Sequence, residues 1–274
     1  MDLVPGDGCG NRFLLAQAAQ FRAAAATAGG EAALAGAVCR AGDVDGVLLV
    51  QEENGALDVA VRNCDGSDGG ACLNGLRVAA AWRGGGSGLL RMAGQEVRWR
   101  RDGETVALDL PFDTTILPLE PLPLVMLRGA PGAELLDAGA ALSFWNPHAV
   151  FRLVPDIDLA AFPLEEFAQR VRADGDRFPD GVNVSVVVPE DDGHLRMRVD
   201  ERGVGETAAC GSAAVAAAAQ AWRGGAAARL ELRMTGGTLV LERLPSGRTG
   251  LTGAARLEPT ISLEELLGGS LKSL

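Results

Sequence analysis

The pattern of hydrophobic and polar positions divides the first half of the chain into strands and Ala-rich helices. The apolar or alternating runs Gly46–Val50 and Ala56–Arg62 predict two strands, and Asn54-Gly55 between them predicts a hairpin turn. The polar, Gly-rich segment 63–70 predicts a loop, after which a helix is expected from about Cys72 to Trp82. This order indicates a mixed domain in which a loop leads directly into a helix.

The second half repeats this order. Val182–Val188 and Leu195–Val199 predict a pair of strands, the loop Glu201–Thr207 follows, and an Ala-rich helix is expected from Gly211 to about Trp222. Five prolines between residues 111 and 131 predict a domain boundary. We therefore expect one domain over residues 1–115 and another over 116–257, with the tail 258–274 packed back on the first.

The two expected helices share their flanking residues. Each follows an Ala-Cys pair, at Cys72 and at Cys210, and each ends in Trp-Arg-Gly-Gly. An acidic residue, Asp68 or Glu206, stands four positions before each cysteine. This repetition indicates a duplicated domain whose two copies each place one cysteine at the N-terminus of a helix.

Composition restricts the chemistry that the chain can perform. The formal net charge of -11 disfavours a nucleic-acid partner, and the 274 residues include 2 His, 5 Cys and no Tyr. No Cys-x-x-Cys or His-x-x-x-His spacing occurs, so we expect no metal site of the usual zinc type. The odd number of cysteines and the absence of a signal-like N-terminus or a membrane-length apolar run predict a cytoplasmic protein with free thiols.

Two thiols at helix N-termini point to proton transfer. A helix N-terminus lowers the pKa of a thiol and also binds a carboxylate. If two such helices held one amino-acid carboxylate, one thiolate could remove the α-proton while the other sulfur returned a proton to the opposite face. This is two-base racemisation, which needs no cofactor and suits a chain with few other acid–base groups.

Six segments resemble motifs of the diaminopimelate epimerase family, in family order. Asn63-Cys-Asp-Gly-Ser67 with Cys72-Leu-Asn-Gly-Leu-Arg77 is similar to its first catalytic motif. Glu201-Arg-Gly-Val-Gly-Glu-Thr-Ala-Ala-Cys-Gly-Ser212 is similar to its second. The remaining four are Gly8-Cys-Gly-Asn-Arg-Phe13, Asp45-Gly46, Asn146-Pro-His148 and Gly181-Val-Asn-Val184.

The resemblance implies an α+β fold of two pseudo-symmetric domains, each a barrel-like sheet around a central helix, with the active site in the cleft between them. It implies that Cys72 and Cys210 are the acid and base, assisted by His148 and Glu201, without cofactor or metal. It also implies that the substrate is a small amino acid. The residues expected to bind this substrate are Asn11, Asn63, Leu73, Asn74, Gly75, Asn146, Asn183, Arg202, Thr207, Gly211 and Ser212.

The chain departs from the family pattern in its N-terminal half. Asp7, Cys9 and Arg12 replace the usual His, Leu and Asp of the first motif, Leu73 replaces a Gly, and Cys64 replaces an Ala. The residues expected to hold the far end of diaminopimelate all remain, which favours conversion of the LL to the meso isomer in lysine and peptidoglycan biosynthesis.

These departures also keep two alternatives open. One is a racemase or isomerase of the same fold acting on a different amino acid, and the other is a non-catalytic relative that binds an amino acid. The resemblance further suggests a homodimer, although the chain lacks the Tyr that such interfaces often use.

Overall fold

The computed structural model describes residues 1–113 and 117–268. The chain divides into two compact units, one made of Met1–Pro111 with the segment that begins at Thr252, and the other of Phe112–Leu251. The expected boundary between residues 115 and 116 lies outside the described residues. The chain returns to the first unit at Thr252, earlier than the expected position 258.

Both strands and helices occur along the first unit. The first unit begins with β1 (Asp2–Asp7), β2 (Arg12–Gln17), α1 (Ala18–Ala25), α2 (Glu31–Gly42), β3 (Gly46–Glu53), β4 (Ala56–Asn63), α3 (Leu73–Arg83), β5 (Ser87–Met92), β6 (Gln95–Asp102) and β7 (Thr105–Leu110).

The remaining elements begin with β8 (Glu120–Pro121), β9 (Leu136–Phe144), β10 (Asn146–Leu153), α4 (Leu164–Arg172), β11 (Asn183–Pro189), β12 (His194–Glu201), β13 (Gly205–Thr207) and α5 (Gly211–Arg223). They continue with β14 (Arg229–Met234), β15 (Gly237–Arg243), β16 (Thr249–Ala254), β17 (Arg256–Leu257), β18 (Ile261–Ser262) and α6 (Leu263–Leu266).

Strand pairing repeats between the units. In the first, β2 runs parallel to β3, β3 antiparallel to β4, and β4 parallel to β5. In the second, β10 runs parallel to β11, β11 antiparallel to β12, and β12 parallel to β14. Each unit continues with an antiparallel hairpin, β5–β6 or β14–β15. The duplication inferred from the sequence is therefore visible in the strand order.

Each repeated sheet packs on one Ala-rich helix. Helix α3 contacts β3 through β7, and α5 contacts β9, β10, β11 and β15. Nine consecutive residues are buried at the start of each helix, 73–81 and 211–219. A helix that is buried on all sides belongs in a core, and alanine lets the surrounding strands approach closely. The expected fold, a sheet around a central helix in each half, is confirmed.

Three strands of the structure, β1, β5 and β9, are not predicted by the sequence pattern. Strand β1 contains Pro5, and β9 is rich in Ala and Gly, so neither has the composition typical of a strand. Tertiary pairing on both sides of β1, with β2 and with β17 and β18, overrides this weak propensity. Pro163 directly precedes α4 as its N-cap residue.

Neither a membrane-spanning helix nor a metal cluster occurs in the part of the chain that the structure describes. Among the described residues, no helix has the length and apolar character needed to span a membrane. In residues 1–113 and 117–268, no group of three His, Cys, Asp or Glu side chains is placed to hold a metal ion.

Candidate active site

Cys72 is the N-cap residue of α3. Its backbone is extended, with φ −135° and ψ 105°, and its Sγ accepts the N–H of Gly75 at 3.3 Å. Its own N–H lies 3.1 Å from Sδ of Met92, and its side chain is partly exposed. The helix N–H and the positive end of the helix dipole both favour negative charge on this sulfur.

Asn11 lies beside this thiol with a fixed amide orientation. Its Nδ2 donates to Oδ2 of Asp45 at 2.6 Å, and its Oδ1 accepts a hydrogen bond from Sγ of Cys72 at 3.9 Å. Nδ2 of Asn74 also donates to this Oδ1, at 3.5 Å. The second acceptor interaction of Asp45, with the N–H of Arg12 at 2.7 Å, anchors the carboxylate itself. The structure therefore brings Asn11, Cys72 and Asn74 together, as expected.

The first turn of α3 is closely packed. Leu73, the unusual residue after the cysteine, is 2% exposed, so its bulk lies in the core of the first unit. A Cβ at Gly75 would stand 2.8 Å from Cδ2 of Leu48, so no larger residue fits there without a shift. The close approach keeps the Gly75 N–H within reach of the thiol.

Asn63 stands at the end of β4, and its amide is engaged within its own loop. Nδ2 donates to Oγ of Ser67 at 3.0 Å, and the Ser67 hydroxyl donates to Oδ1 of Asp65 at 2.6 Å. A Cβ on Gly69 would lie 2.9 Å from Oδ1 of Asn63. The loop therefore holds the Asn63 side chain in place.

Cys210 is the N-cap residue of α5, with nearly the same backbone angles as Cys72, φ −135° and ψ 115°. Its surroundings differ, because its Sγ donates to Oε2 of Glu201 at 3.1 Å and lies 3.5 Å from Oγ of Ser212. Burial and, next, the negative charge of Glu201 raise the pKa of the Cys210 thiol well above its usual value. This sulfur is therefore a protonated thiol at neutral pH.

Thr207 fixes the Glu201 carboxylate. Its hydroxyl donates to Oε1 of Glu201 at 2.6 Å, and Oε2 is left to accept from Cys210. The short strand β13 brings the threonine there, because it folds back on β12 with Thr207 opposite Val199. Thr207, expected to bind substrate, thus orients the Glu201 carboxylate in this structure.

His148 and Asn183 lie opposite each other on the parallel strands β10 and β11. The imidazole is 1% exposed, and neither ring nitrogen has a hydrogen-bond partner among the described residues. Burial, reinforced by the positive charge of Arg202, lowers the pKa of His148 to about 3. The ring is therefore neutral at physiological pH.

Arg202 is tied to the same strands. Its N–H donates to Oδ1 of Asn183 at 2.8 Å, and its guanidinium donates to the carbonyl of Asp180 at 2.6 Å. A Cβ on Gly181, which has a φ of 74°, would meet Cδ of Arg202 at 2.8 Å. The Gly181-Val-Asn motif thus shapes the path of this arginine.

The remaining expected residues of the second unit occupy strand and helix ends. Asn146 begins β10 directly after Trp145, whose φ is 56°, and is half-buried. Gly211 and Ser212 are the first two residues of α5, and both are buried. Their backbone N–H groups belong to the helix N-terminus, which has no intrahelical acceptors.

The other three cysteines do not begin helices. Cys9 is buried with a φ of 62°, and its Sγ lies 3.9 Å from the carbonyl of Ala254. Cys39 is buried in α2. Cys64 is exposed, and its Sγ lies 3.2 Å from the carbonyl of Val44.

Strand register makes Asn63 and Glu201 equivalent positions. Arg62 lies opposite Val47 on β3 and forms a bridge with Asp68. Asp200 lies in the same way opposite Val184 on β11 and pairs with Glu206. The next residue along each strand is Asn63 in the first unit and Glu201 in the second.

Sequence reasoning missed two residues that support this site. Asp45 orients Asn11, and Arg77 is wholly buried below the first turn of α3. Both lie inside motifs that the sequence revealed. A charged residue in an otherwise apolar helix is a signal that could have identified Arg77.

Known proteins resemble the chain over most of its length. Residues 141–258 match the family model described as diaminopimelate epimerase. A diaminopimelate epimerase of Rhizorhabdus wittichii is 34% identical over 254 residues, which cover 90% of each chain. The chain belongs to the diaminopimelate epimerase family. A further relative, the diaminopimelate epimerase of Thermobifida fusca, is 39% identical over 202 residues, or 71% of this chain and 68% of that one.

Solved structures agree on the fold of this family member. A protein described as a predicted epimerase from Pseudomonas aeruginosa superposes with a TM-score of 0.68 at 18% identity, covering 96% of this chain and 98% of that one. A putative phenazine biosynthesis PhzC/PhzF protein from Clostridium difficile gives a TM-score of 0.69 at 11% identity, covering 96% and 99%. At these identities the likeness concerns the fold alone.

Proposed function

We propose that this isomerase converts LL-diaminopimelate to meso-diaminopimelate by two-base proton exchange between Cys72 and Cys210. The observation that carries the proposal is a pair of N-cap cysteines with opposite surroundings in a member of the diaminopimelate epimerase family. One sulfur accepts a helix N–H, which favours a thiolate, and the other donates to a carboxylate, which keeps it a thiol.

The proton transfers balance without any other reactant. With Cys72 starting as thiolate and Cys210 as thiol, the thiolate takes the α-proton and the pair of C–H electrons stays on the substrate as an enediolate. The Cys210 thiol then gives its proton to the opposite face of the α-carbon. The enzyme is left with the thiol on Cys72 and the thiolate on Cys210, and the reverse reaction starts from that state.

The developing negative charge requires hydrogen-bond donors. The backbone N–H groups of Leu73 and Asn74 belong to the first turn of α3, and those of Gly211 and Ser212 to the first turn of α5. We propose that they bind the reacting carboxylate, since a helix N-terminus both donates hydrogen bonds and carries partial positive charge. Preorganised donors of this kind stabilise the enediolate more than the substrate.

His148 and Glu201 would control protons rather than bind the far end of the substrate. The Glu201 carboxylate holds the resting proton on Cys210. The His148 ring is neutral, so we propose that it adds no charge beside the reacting groups. The residues that the resemblance implies for binding the far end of the substrate are Asn63, Asn146, Asn183 and Arg202.

We also propose that the reaction uses no pyridoxal phosphate and occurs in the cytoplasm. A pyridoxal enzyme holds its cofactor on a lysine, and the only lysine of the chain is Lys272, which lies outside the described residues. No disulfide joins the cysteines that the structure describes, as is usual in a reducing compartment.

The test is α-proton exchange in D₂O, followed by NMR, with LL-diaminopimelate and with a panel of glutamate, aspartate, proline, lysine and arginine. We expect exchange to be fastest with LL-diaminopimelate, without added cofactor and unchanged by pyridoxal phosphate. Rapid exchange of another amino acid, with none for diaminopimelate, would assign a different substrate. No exchange with any of them would indicate a binding protein.

A further inference from the structure

Arg77 is a fully buried cation in the middle of α3. It is 0% exposed, and it lies within the stretch 73–81 in which every residue is buried. Burying a charge without a partner of opposite sign is costly, so an arginine is retained in such a place only if its surroundings compensate it.

Hydrogen bonds compensate part of this cost. Nε donates to the carbonyl of Ala254 at 3.3 Å, and Nη2 donates to the carbonyl of Gly8 at 3.2 Å. Nη1 has no hydrogen-bond partner in the described part of the chain. No carboxylate there lies within ion-pair distance of Arg77, so its positive charge is solvated by carbonyl dipoles but is not neutralised.

The remaining compensation comes from nearby groups that can carry negative charge. Burial lowers the pKa of Arg77, while Cys9, Cys72 and Asp7 act in the opposite direction. Such an interaction is mutual, since the attraction that favours the guanidinium cation also favours a thiolate on Cys72.

The hydrogen bond to Gly8 also reaches the site through the backbone. The N–H of Gly8 donates to the carbonyl of Asn11 at 2.9 Å, so Arg77 is linked to the turn that presents Asn11 to Cys72. A Cβ on Gly8 would stand 3.0 Å from the carbonyl oxygen of Asn74, which shows how closely this turn lies on α3.

We propose that Arg77 is a positioning residue that holds the Gly8–Asn11 turn on α3 and whose buried positive charge favours the thiolate of Cys72. The second unit has no such charge at the matching position: Val215, which follows Cys210 by the same five residues, is buried in its place. The catalytic consequence rests on the proposed function, but the effect on the thiolate does not.

The experiment is the rate at which iodoacetamide labels Cys72 at pH 7, measured on the Cys72 peptide by mass spectrometry. Arg77→Met removes the charge at similar volume, and Arg77→Gln removes it but keeps hydrogen-bond donors. We expect labelling of Cys72 to slow about tenfold in both variants. Without the buried cation the thiolate of Cys72 is less favoured, so a smaller fraction of Cys72 is thiolate at pH 7. In Arg77→Lys, which keeps the charge, the rate should stay within about threefold of wild type.

Two controls separate this effect from general disturbance. The exposed Cys64 in the same sample should label at an unchanged rate, and Arg83→Met, which removes an exposed cation from the same helix, should leave Cys72 labelling unchanged. Far-UV circular dichroism checks folding, and Arg77→Gln decides the matter if Arg77→Met does not fold. Wild-type labelling in a folded Arg77→Gln protein, or equal slowing in Arg83→Met, overturns the proposal. Slow labelling in a protein that never epimerises diaminopimelate would refute the proposed function only.

Discussion

The two units use the same strands and the same type of helix to present a cysteine, yet they surround the two sulfurs with opposite charges. Below Cys72 the first unit buries Arg77, where the second has Val215. Beside Cys210 the second unit places Glu201, where the first has Asn63 at the equivalent strand position. One cysteine thus begins a helix that buries a cation, and the other donates a hydrogen bond to an anion.

The duplicated fold therefore places the two cysteines alike, and a few substitutions change the charged groups around each sulfur. The backbone angles at the two N-caps are almost identical, so the helices alone would give the sulfurs similar properties. A pair of bases that exchange one proton must differ at rest, one charged and one neutral. In the proposals above, the Gly75 N–H and Arg77 favour the thiolate of Cys72, and Glu201 keeps Cys210 protonated.

The largest expected effect comes from removing either sulfur. Cys72→Ala and Cys210→Ala should each lower kcat/KM for epimerisation by about 10³-fold, which is the usual contribution of a general acid or base. Stopped-time assays of meso product measure the loss. Cys64→Ala is the matched control and should stay within about twofold of wild type, while comparable loss there would show that thiol number rather than position matters.

A second prediction concerns the residue after each cysteine. Leu73→Gly gives the first unit the residue that the second has at Gly211, and it removes a side chain that is 2% exposed. The free energy of unfolding should fall by about 3 kcal/mol, because a core leucine is lost and a glycine enters the helix. Urea titration measures the change.

The conservative variant Leu73→Met is the control for this packing effect and should cost less than about 1.5 kcal/mol. A Leu73→Gly protein as stable as wild type would mean that this side chain is not part of the core.

A third prediction concerns Glu201, which in the variant Glu201→Asn is replaced by the residue type found at the equivalent position, Asn63. Glu201→Asn removes the charge that, after burial, does most to raise the pKa of Cys210. That pKa should fall, so iodoacetamide should label Cys210 about tenfold faster at pH 8, while epimerisation slows. Unchanged labelling together with slow epimerisation would assign Glu201 to substrate binding instead.

The smallest expected effect is a difference in pH dependence. His148 occupies in β10 the position that Phe13 occupies in β2. His148 lies opposite Asn183 on the parallel strand β11, and Phe13 lies opposite Gly46 on the parallel strand β3, which is the equivalent strand of the first unit. The pKa of His148 is about 3 in the folded state and 6.5 in the unfolded state, so the unfolded state binds more protons below pH 6.5. Acid therefore lowers stability, by about 1 kcal/mol between pH 7 and pH 5.5 from this group.

The variant His148→Phe should lose that component when urea titrations at the two pH values are compared, whereas His194→Gln should keep it. An identical pH dependence in wild type and His148→Phe would show that the ring is hydrated.

The sequence predicted the repeated parts of this molecule better than the irregular parts. The Ala-rich helices, the hairpin at Asn54-Gly55 and the loop after Asn63 follow from short-range patterns, and the structure has them. The segment Glu201–Thr207, predicted as a loop, is different, because it contains the end of β12 and the short strand β13. Strand β1 could not be predicted locally, because its pairing partners β17 and β18 come from the far end of the chain.

The site was also predicted only in part, because its contacts join segments that are distant in sequence. Motifs identified Cys72, Cys210 and Glu201, but the partner of each depends on contacts between separate strands. The role of Thr207 as a donor to Glu201 requires the β12–β13 register, and that of Arg77 requires the carbonyls of Gly8 and Ala254. Burial of His148 likewise depends on tertiary packing, which a three-residue motif does not encode.

In the proposed mechanism two cysteine sulfurs, one a thiolate and the other a thiol at rest, exchange the α-proton. The most direct measurement is the early reaction of LL-diaminopimelate in D₂O, with the deuterium content of remaining substrate and of product read separately by mass spectrometry. Two-base exchange predicts that the first meso product carries solvent deuterium while the remaining LL substrate carries none. Equal labelling of substrate and product from the earliest times would contradict it, because that is the result of a single exchanging base.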